Sequence, residues 1–282
     1  MNNRLPGELI TVGGDRLHVV SEGTGTPPLL LSAGLGSAWF DWIPVVERLR
    51  DRHRVISFDR PGLGGSPPGG GSGGLRGEAD RLAALARWAG SPVIVVAHSL
   101  AGFHAEAFAR LHPDLVRGMV LVDPSAEPDR LRYARLLTRL AAPARLAGTA
   151  AGLAGVTRLA GPRIRGMVMR LRTERGDVAP PDLARAVYSR SHVLGTLLVE
   201  QAEYRQMAAD LLTMRLFHPF PDIPLRVITA LGDVRDGGHG WERAHAALAA
   251  LSPRGRQIVL PGTGHMVQID RPEVVAEAVD DL

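Results

Sequence analysis

Pro92-Val-Ile-Val-Val-Ala-His-Ser-Leu-Ala-Gly102 is the stretch around which this chain is read. Residues 93–96 are an uninterrupted β-branched run, the composition of a strand buried on both faces of a parallel sheet. Residues 101–111 have the spacing of a helix packed behind that strand. A turn this abrupt between strand and helix pushes the Ser99 hydroxyl out of the sheet, and the helix N-terminus beneath it favours developing negative charge. Ser99 is therefore the candidate nucleophile.

Three further segments bear on it. Pro28-Leu-Leu-Leu-Ser32 reads as a short buried strand that ends in Ala33-Gly34-Leu35-Gly36-Ser37, ahead of a helix expected over 39–50. An isolated G-x-G of this kind can be a mere tight turn, and a dinucleotide-binding reading fails because the third glycine position holds Trp39. Residues 54–58 form another apolar strand running into Asp59-Arg60-Pro61-Gly62-Leu63-Gly64-Gly65-Ser66. Near the end, strand 256–260 leads into Pro261-Gly-Thr-Gly264-His265-Met-Val-Gln-Ile-Asp270-Arg-Pro272-Glu273. Elsewhere, 8–12 and 16–21 alternate around Gly13-Gly14-Asp15 as a hairpin. Residues 67–74 are a Pro/Gly/Ser loop, and 78–88 a helix.

Together these motifs resemble the α/β-hydrolase superfamily. Ala97-His98-Ser99-Leu100-Ala101 resembles its G-x-S-x-G nucleophile elbow, with alanine at both glycine positions. The 33–37 loop sits where the superfamily keeps H-G-x-G, with Ala33 in place of histidine, and 59–66 resembles its D-x-x-G-x-G-x-S segment, which makes Asp59 and Arg60 a scaffold pair. The run around His265 resembles its histidine loop. The resemblance implies a mostly parallel eight-stranded sheet flanked by helices, with a core of 1–125 and 223–282 and an inserted helical cap of 126–222. Helices are expected there near 129–140, 162–173, 181–188 and 196–212, and the apolar stretch 141–161 reads either as a pocket-facing lid or as ordinary packing.

A serine hydroxyl needs a base within hydrogen-bond reach and a carboxylate to orient that base. The resemblance makes His265 the base, with His239 a distant second. For the acid it favours Asp233, which ends Ala230-Leu-Gly-Asp233; Asp123, at the end of strand 118–123, is the alternative and Asp236 the third. Leu35 and Leu100 would supply the backbone N–H groups of an oxyanion hole. Gly34 and His98 would line the substrate pocket.

Composition narrows the rest. The 282 residues suffice for one α/β core, and with no cysteine there is no disulfide, thiolate zinc site or cysteine nucleophile. All 33 basic residues are arginines, offset by 29 acidic ones that interleave with them, and aromatics are only 5%, so nucleic acid is not an expected partner despite a pI near 10.4. No cofactor or metal is expected, no integral membrane segment is visible, and the cytoplasm is the expected location. The expected activity is hydrolysis of a small-molecule carboxylic ester, thioester or lactone through an acyl-enzyme. Alternatives are a lipase-like interfacial esterase and a non-catalytic ligand-binding protein on the same scaffold.

Overall fold

The computed structural model describes residues 5–69, 73–90, 92–126, 134–234 and 239–282. Eight strands form one sheet: β1 (Glu8–Val12), β2 (Asp15–Glu22), β3 (Leu29–Ser32), β4 (Val55–Phe58), β5 (Val93–His98), β6 (Val116–Val122), β7 (Leu225–Ala230) and β8 (Gly255–Leu260). Their spatial order is β1-β2-β4-β3-β5-β6-β7-β8. The β1–β2 and β2–β4 pairs are antiparallel and all the others parallel.

Alternation along the strands divides the core. Leu30, Ile56, Val93, Val95, Met119, Leu121 and Val227 face one side, beneath α2 (Gly74–Ala89), α3 (Ala101–Leu111) and α9 (His239–Ala249). Leu29, Leu31, Val55, Ile94, Val96, Val120, Val122 and Ile228 face the other, under α1 (Ile43–Leu49) and α11 (Pro272–Asp280). Buried apolar side chains on both faces are what a doubly covered parallel sheet requires, each fully buried Val, Leu or Ile contributing about 1.5–3 kcal/mol.

The chain runs from β3 outward to β4, then returns past β3 to β5, so consecutive connections diverge at the β3–β5 pair. Such a switch point opens a crevice at the carboxyl ends of the two strands. Gly34 follows β3 there, and Ser99 follows β5.

Between β6 and β7, five helices occur among the described residues: α4 (Ala134–Thr138), α5 (Ala141–Leu153), α6 (Val156–Arg172), α7 (Pro181–Tyr188) and α8 (Val193–Phe217). α6 and α8 run longer than the sequence suggests, and α6 continues through Pro162. α5 and α8 cross at backbone contact: a Cβ on Gly148 would lie 2.5 Å from the Cα of Gly195. The short α10 (Val267–Asp270) follows the histidine loop. Asp270 reaches back to the insertion, its Oδ1 accepting from the backbone N–H of Glu174 (2.9 Å) and Arg175 (3.2 Å). Among the described residues, no helix is long and apolar enough to cross a membrane.

Candidate active site

Ser99 lies one residue past β5 with φ at +56°, a left-handed conformation that costs a non-glycine residue on the order of 1–2 kcal/mol. Neighbouring backbone holds it there. Its N–H donates to Val122 O (3.1 Å), and its carbonyl accepts from Gly102 N (2.9 Å) and Ser125 N (3.1 Å). Ala97 and Ala101 are fully buried without disturbing this turn. Close approach falls elsewhere: a Cβ on Gly102 would stand 2.7 Å from Pro124 Cβ, and one on Gly34 would stand 2.8 Å from His98 Nδ1 and 3.2 Å from Ser99 Cβ. The need for a bare backbone is thus met at 34 and 102, and alanine is accommodated at 97 and 101.

His265, 166 positions away in sequence, brings Nε2 to 2.9 Å from Ser99 Oγ. Its Nδ1 lies 2.6 Å from Asp123 Oδ2. This moves the carboxylate position away from the sequence's first choice. Asp233 instead accepts from the backbone N–H of His265 through Oδ2 (3.1 Å) and has Arg172 Nη1 at 3.7 Å, so it braces the loop without touching the imidazole. The reason is geometric. β6 lies beside β5, and Asp123, itself at φ +40°, turns its carboxylate beneath the histidine from the adjacent strand end. Asp236 lies outside the described residues, and His239 is exposed at the start of α9.

Asp123 is buried and well held. Its Oδ1 accepts from Ala230 N (3.0 Å) and from Trp241 Nε1 (3.0 Å). Burial disfavours the charge, but the bond to His265 and these two donors outweigh it and hold the carboxyl below its ordinary range.

A model of the alpha/beta hydrolase family matches residues 29–278, all but the first strands and the last few residues. The chain belongs to the alpha/beta hydrolase family. Among related sequences, it is 34% identical over 119 residues to a putative carbamate hydrolase RutD of Azorhizobium caulinodans, a match covering 42% of this chain and 44% of that protein, less than half of its length. It is 27% identical to the 1-acylglycerol-3-phosphate O-acyltransferase ABHD5 of Mus musculus, over 94% of this chain and 78% of that one. Among solved structures, a thermophilic esterase from Thermogutta terrifontis superposes with a TM-score of 0.68 at 24% identity, covering 99% of this chain and 97% of that one, a likeness of fold.

In this alpha/beta hydrolase the loop after β3 is fastened by a buried pair that the sequence did not reveal. Arg60 donates Nη2 to Gly34 O (2.8 Å) and Nη1 to Ala33 O, and its Nε meets Glu200 Oε1 at 2.7 Å. Glu200, on α8, accepts from Gly36 N with its other oxygen (2.9 Å). Asp59 accepts from Trp39 N and Gly65 N and contacts His18 Nδ1, each at 2.8 Å. Asp59 and Arg60 are both scaffold residues, but each works with other partners. Leu35 and Leu100 both line the cavity beside Ser99.

His98 also lines it, stacked obliquely on His265 with ring centroids 4.6 Å apart. Its Nε2 donates to His265 O (3.0 Å), and Gln268 Nε2 lies 3.3 Å from its Nδ1. Burial first, and then the neighbouring His265, push its pKa down to about 3, so it stays neutral beside the candidate base. His104, inside α3, is likewise pushed down to about 3 by burial and then by Arg60.

These two imidazoles make stability pH-dependent. Both are neutral in the native state and would take up protons once unfolded, near 6.5. Their contribution is intact above that pH and is lost as pH falls toward about 3. In urea unfolding between about pH 5.5 and 4, His104→Leu is expected to reduce the loss of unfolding free energy by roughly 1.4 kcal/mol per pH unit. An unchanged slope would mean that His104 is protonated in the folded protein.

The cavity above Ser99 has a volume of about 830 Å³. Its walls are mainly apolar, from Leu35, Ile164, Val168, Leu194, Leu197 and Met266 among others. Of the apolar stretch 141–161, Val156, Thr157 and Gly161 line the cavity, whereas Leu146 and Leu153 are exposed outside it; Ile164 and Val168, farther along α6, also line it. Trp241, Gln268 and Glu200 went unnoticed in the sequence because each is positioned by a distant segment. No group of three or more His, Asp or Glu suited to a metal occurs among the described residues.

Proposed function

We propose that this protein is a serine hydrolase of small-molecule carboxylic esters, including thioesters or lactones, acting through an acyl-enzyme. The observation that carries the reading is the unbroken chain from Ser99 Oγ through His265 to Asp123, at 2.9 and 2.6 Å. Asp123 keeps His265 Nδ1 protonated, which leaves Nε2 free to accept. As Ser99 Oγ bonds to the carbonyl carbon, its proton passes to Nε2, and the N–H groups of Leu35 and Leu100 receive the oxyanion. Nε2 then gives that proton to the departing alkoxide. In the second half a water loses a proton to Nε2 and attacks the acyl carbon, and Ser99 leaves with the proton restored.

We assign 1–125 and 223–282 to the catalytic core and 126–222 to a cap over the site. The mainly apolar cavity favours an uncharged acyl or alcohol group, since burying a charge against such walls is unfavourable without a partner. A fluorophosphonate probe tests the reading, because it reacts only with an activated serine. We expect a single adduct at Ser99, competed by short p-nitrophenyl esters that are themselves turned over. A folded protein that neither labels nor hydrolyses any ester, thioester or lactone would favour a binding role instead.

A further inference from the structure

Residues 134–173 contain eight arginines and no aspartate or glutamate, although the chain as a whole carries 29 acidic residues. The same segment displays large apolar side chains to solvent: Leu146 is 73% exposed, Leu153 76%, Leu159 68% and Met167 50%.

Helical geometry gathers these groups on one side. In α5, Gly148 and Gly152 face α8 and residue Ser191, and Leu146 and Leu153 lie across the helix from them. In α6, Leu159, Arg163, Met167 and Arg170 are all exposed and recur at i, i+4, i+8 and i+11, a single outward stripe. The inward side holds Arg165, bound to Asp41 (2.6 Å) and Asp177 (2.7 Å). Among the described residues, no ion pair holds Arg158, Arg163 or Arg170, whose charges remain available to an anionic partner.

We propose that α5 and α6 form a docking surface for an anionic lipid membrane, the leucines and methionine entering the interface and the arginines meeting headgroup phosphates. An exposed face combining aliphatic side chains with unopposed cationic ones matches the chemistry of such an interface. A second copy of this chain would set arginine against arginine across the contact, which argues against self-association. The inference goes beyond ester hydrolysis and does not depend on it. It would place the cavity mouth, which α6 lines with Val156, Ile164 and Val168, at the lipid surface.

Vesicle flotation tests this. The whole protein should partition onto vesicles of phosphatidylcholine with about 30 mol% phosphatidylglycerol at least about tenfold more strongly than onto phosphatidylcholine alone, and should lose most of that binding in about 0.5 M NaCl. The triple variant L153D/L159D/M167D, and separately R163Q/R170Q, should each lose at least about tenfold in binding while keeping the wild-type circular dichroism. None of these five side chains lines the cavity, so turnover of a soluble short ester should be unaffected in both. Three results would overturn the proposal: no binding to either vesicle, equal binding to both, or a concentration-dependent dimer in ultracentrifugation that the triple variant dissolves. Binding is read without turnover, so its failure is distinguishable from failure of the hydrolase reading.

Discussion

Asp123→Asn should lower kcat by on the order of 10⁴-fold, whereas Asp233→Asn should leave it within about threefold of wild type. Asp123 Oδ2 accepts from His265 Nδ1 at 2.6 Å, which selects the tautomer with its lone pair on Nε2. Asparagine keeps an oxygen for Ala230 N–H and Trp241 Nε1–H, the two donors now on Oδ1, but presents an amide N–H to the imidazole. His265 then shifts its proton to Nε2, donates to Ser99, and can no longer take a proton from it. Substrate binding is not involved, so KM should change little while kcat and the rate of fluorophosphonate labelling fall together. Asp233 reaches the backbone N–H of His265, a bond that an asparagine oxygen can also accept, and its other contact, Arg172 at 3.7 Å, is away from the imidazole. An active Asp123→Asn enzyme, or an inactive Asp233→Asn one, would reverse the assignment.

Ser99→Ala should reduce turnover by on the order of 10⁵-fold or more and abolish labelling, since it removes the hydroxyl that stands 2.9 Å from His265 Nε2 and would carry the acyl group. Its stability offers an independent check on the turn. Position 99 sits at φ +56°, where glycine alone among residues is unstrained. Ser99→Gly should therefore be at least as stable as Ser99→Ala in urea, although glycine in an ordinary strand or helix interior costs about 0.5–1 kcal/mol relative to alanine. A clearly less stable glycine variant would show that the elbow is not strained in solution. Residual turnover well above background in Ser99→Ala would remove the serine from the mechanism.

The elements that position the site were largely legible beforehand because they rest on local chemistry. A β-branched run such as 93–96 can be satisfied only between two covered faces, and the glycines at 34 and 36 and the proline at 272 mark turns and a helix start by their own backbone limits. Ser99 was singled out this way, whereas His265 was named through the resemblance of the run that flanks it. The resemblance of the flanking motifs implied the order in which they join, and the family match over residues 29–278 bears out the family.

The acid was not legible to the same degree. Asp123 and Asp233 each lie just past a strand and each approach His265, one at the side chain and the other at the backbone, and nothing within either segment distinguishes the two. The Arg60–Glu200 brace is equally silent, since its partners stand 140 residues apart and neither belongs to a pattern around the other.

By itself, then, the sequence determined which segments become strands, where the chain turns sharply, and that a serine and a histidine lie at such turns, because those properties follow from neighbours within a few residues. Tertiary structure alone decided which carboxylate meets the imidazole and which arginine holds the loop beside Ser99. Those choices depend on strand order and on distances of 2.6 to 2.9 Å between segments far apart in the chain, where a carboxylate counts only if the fold aims it.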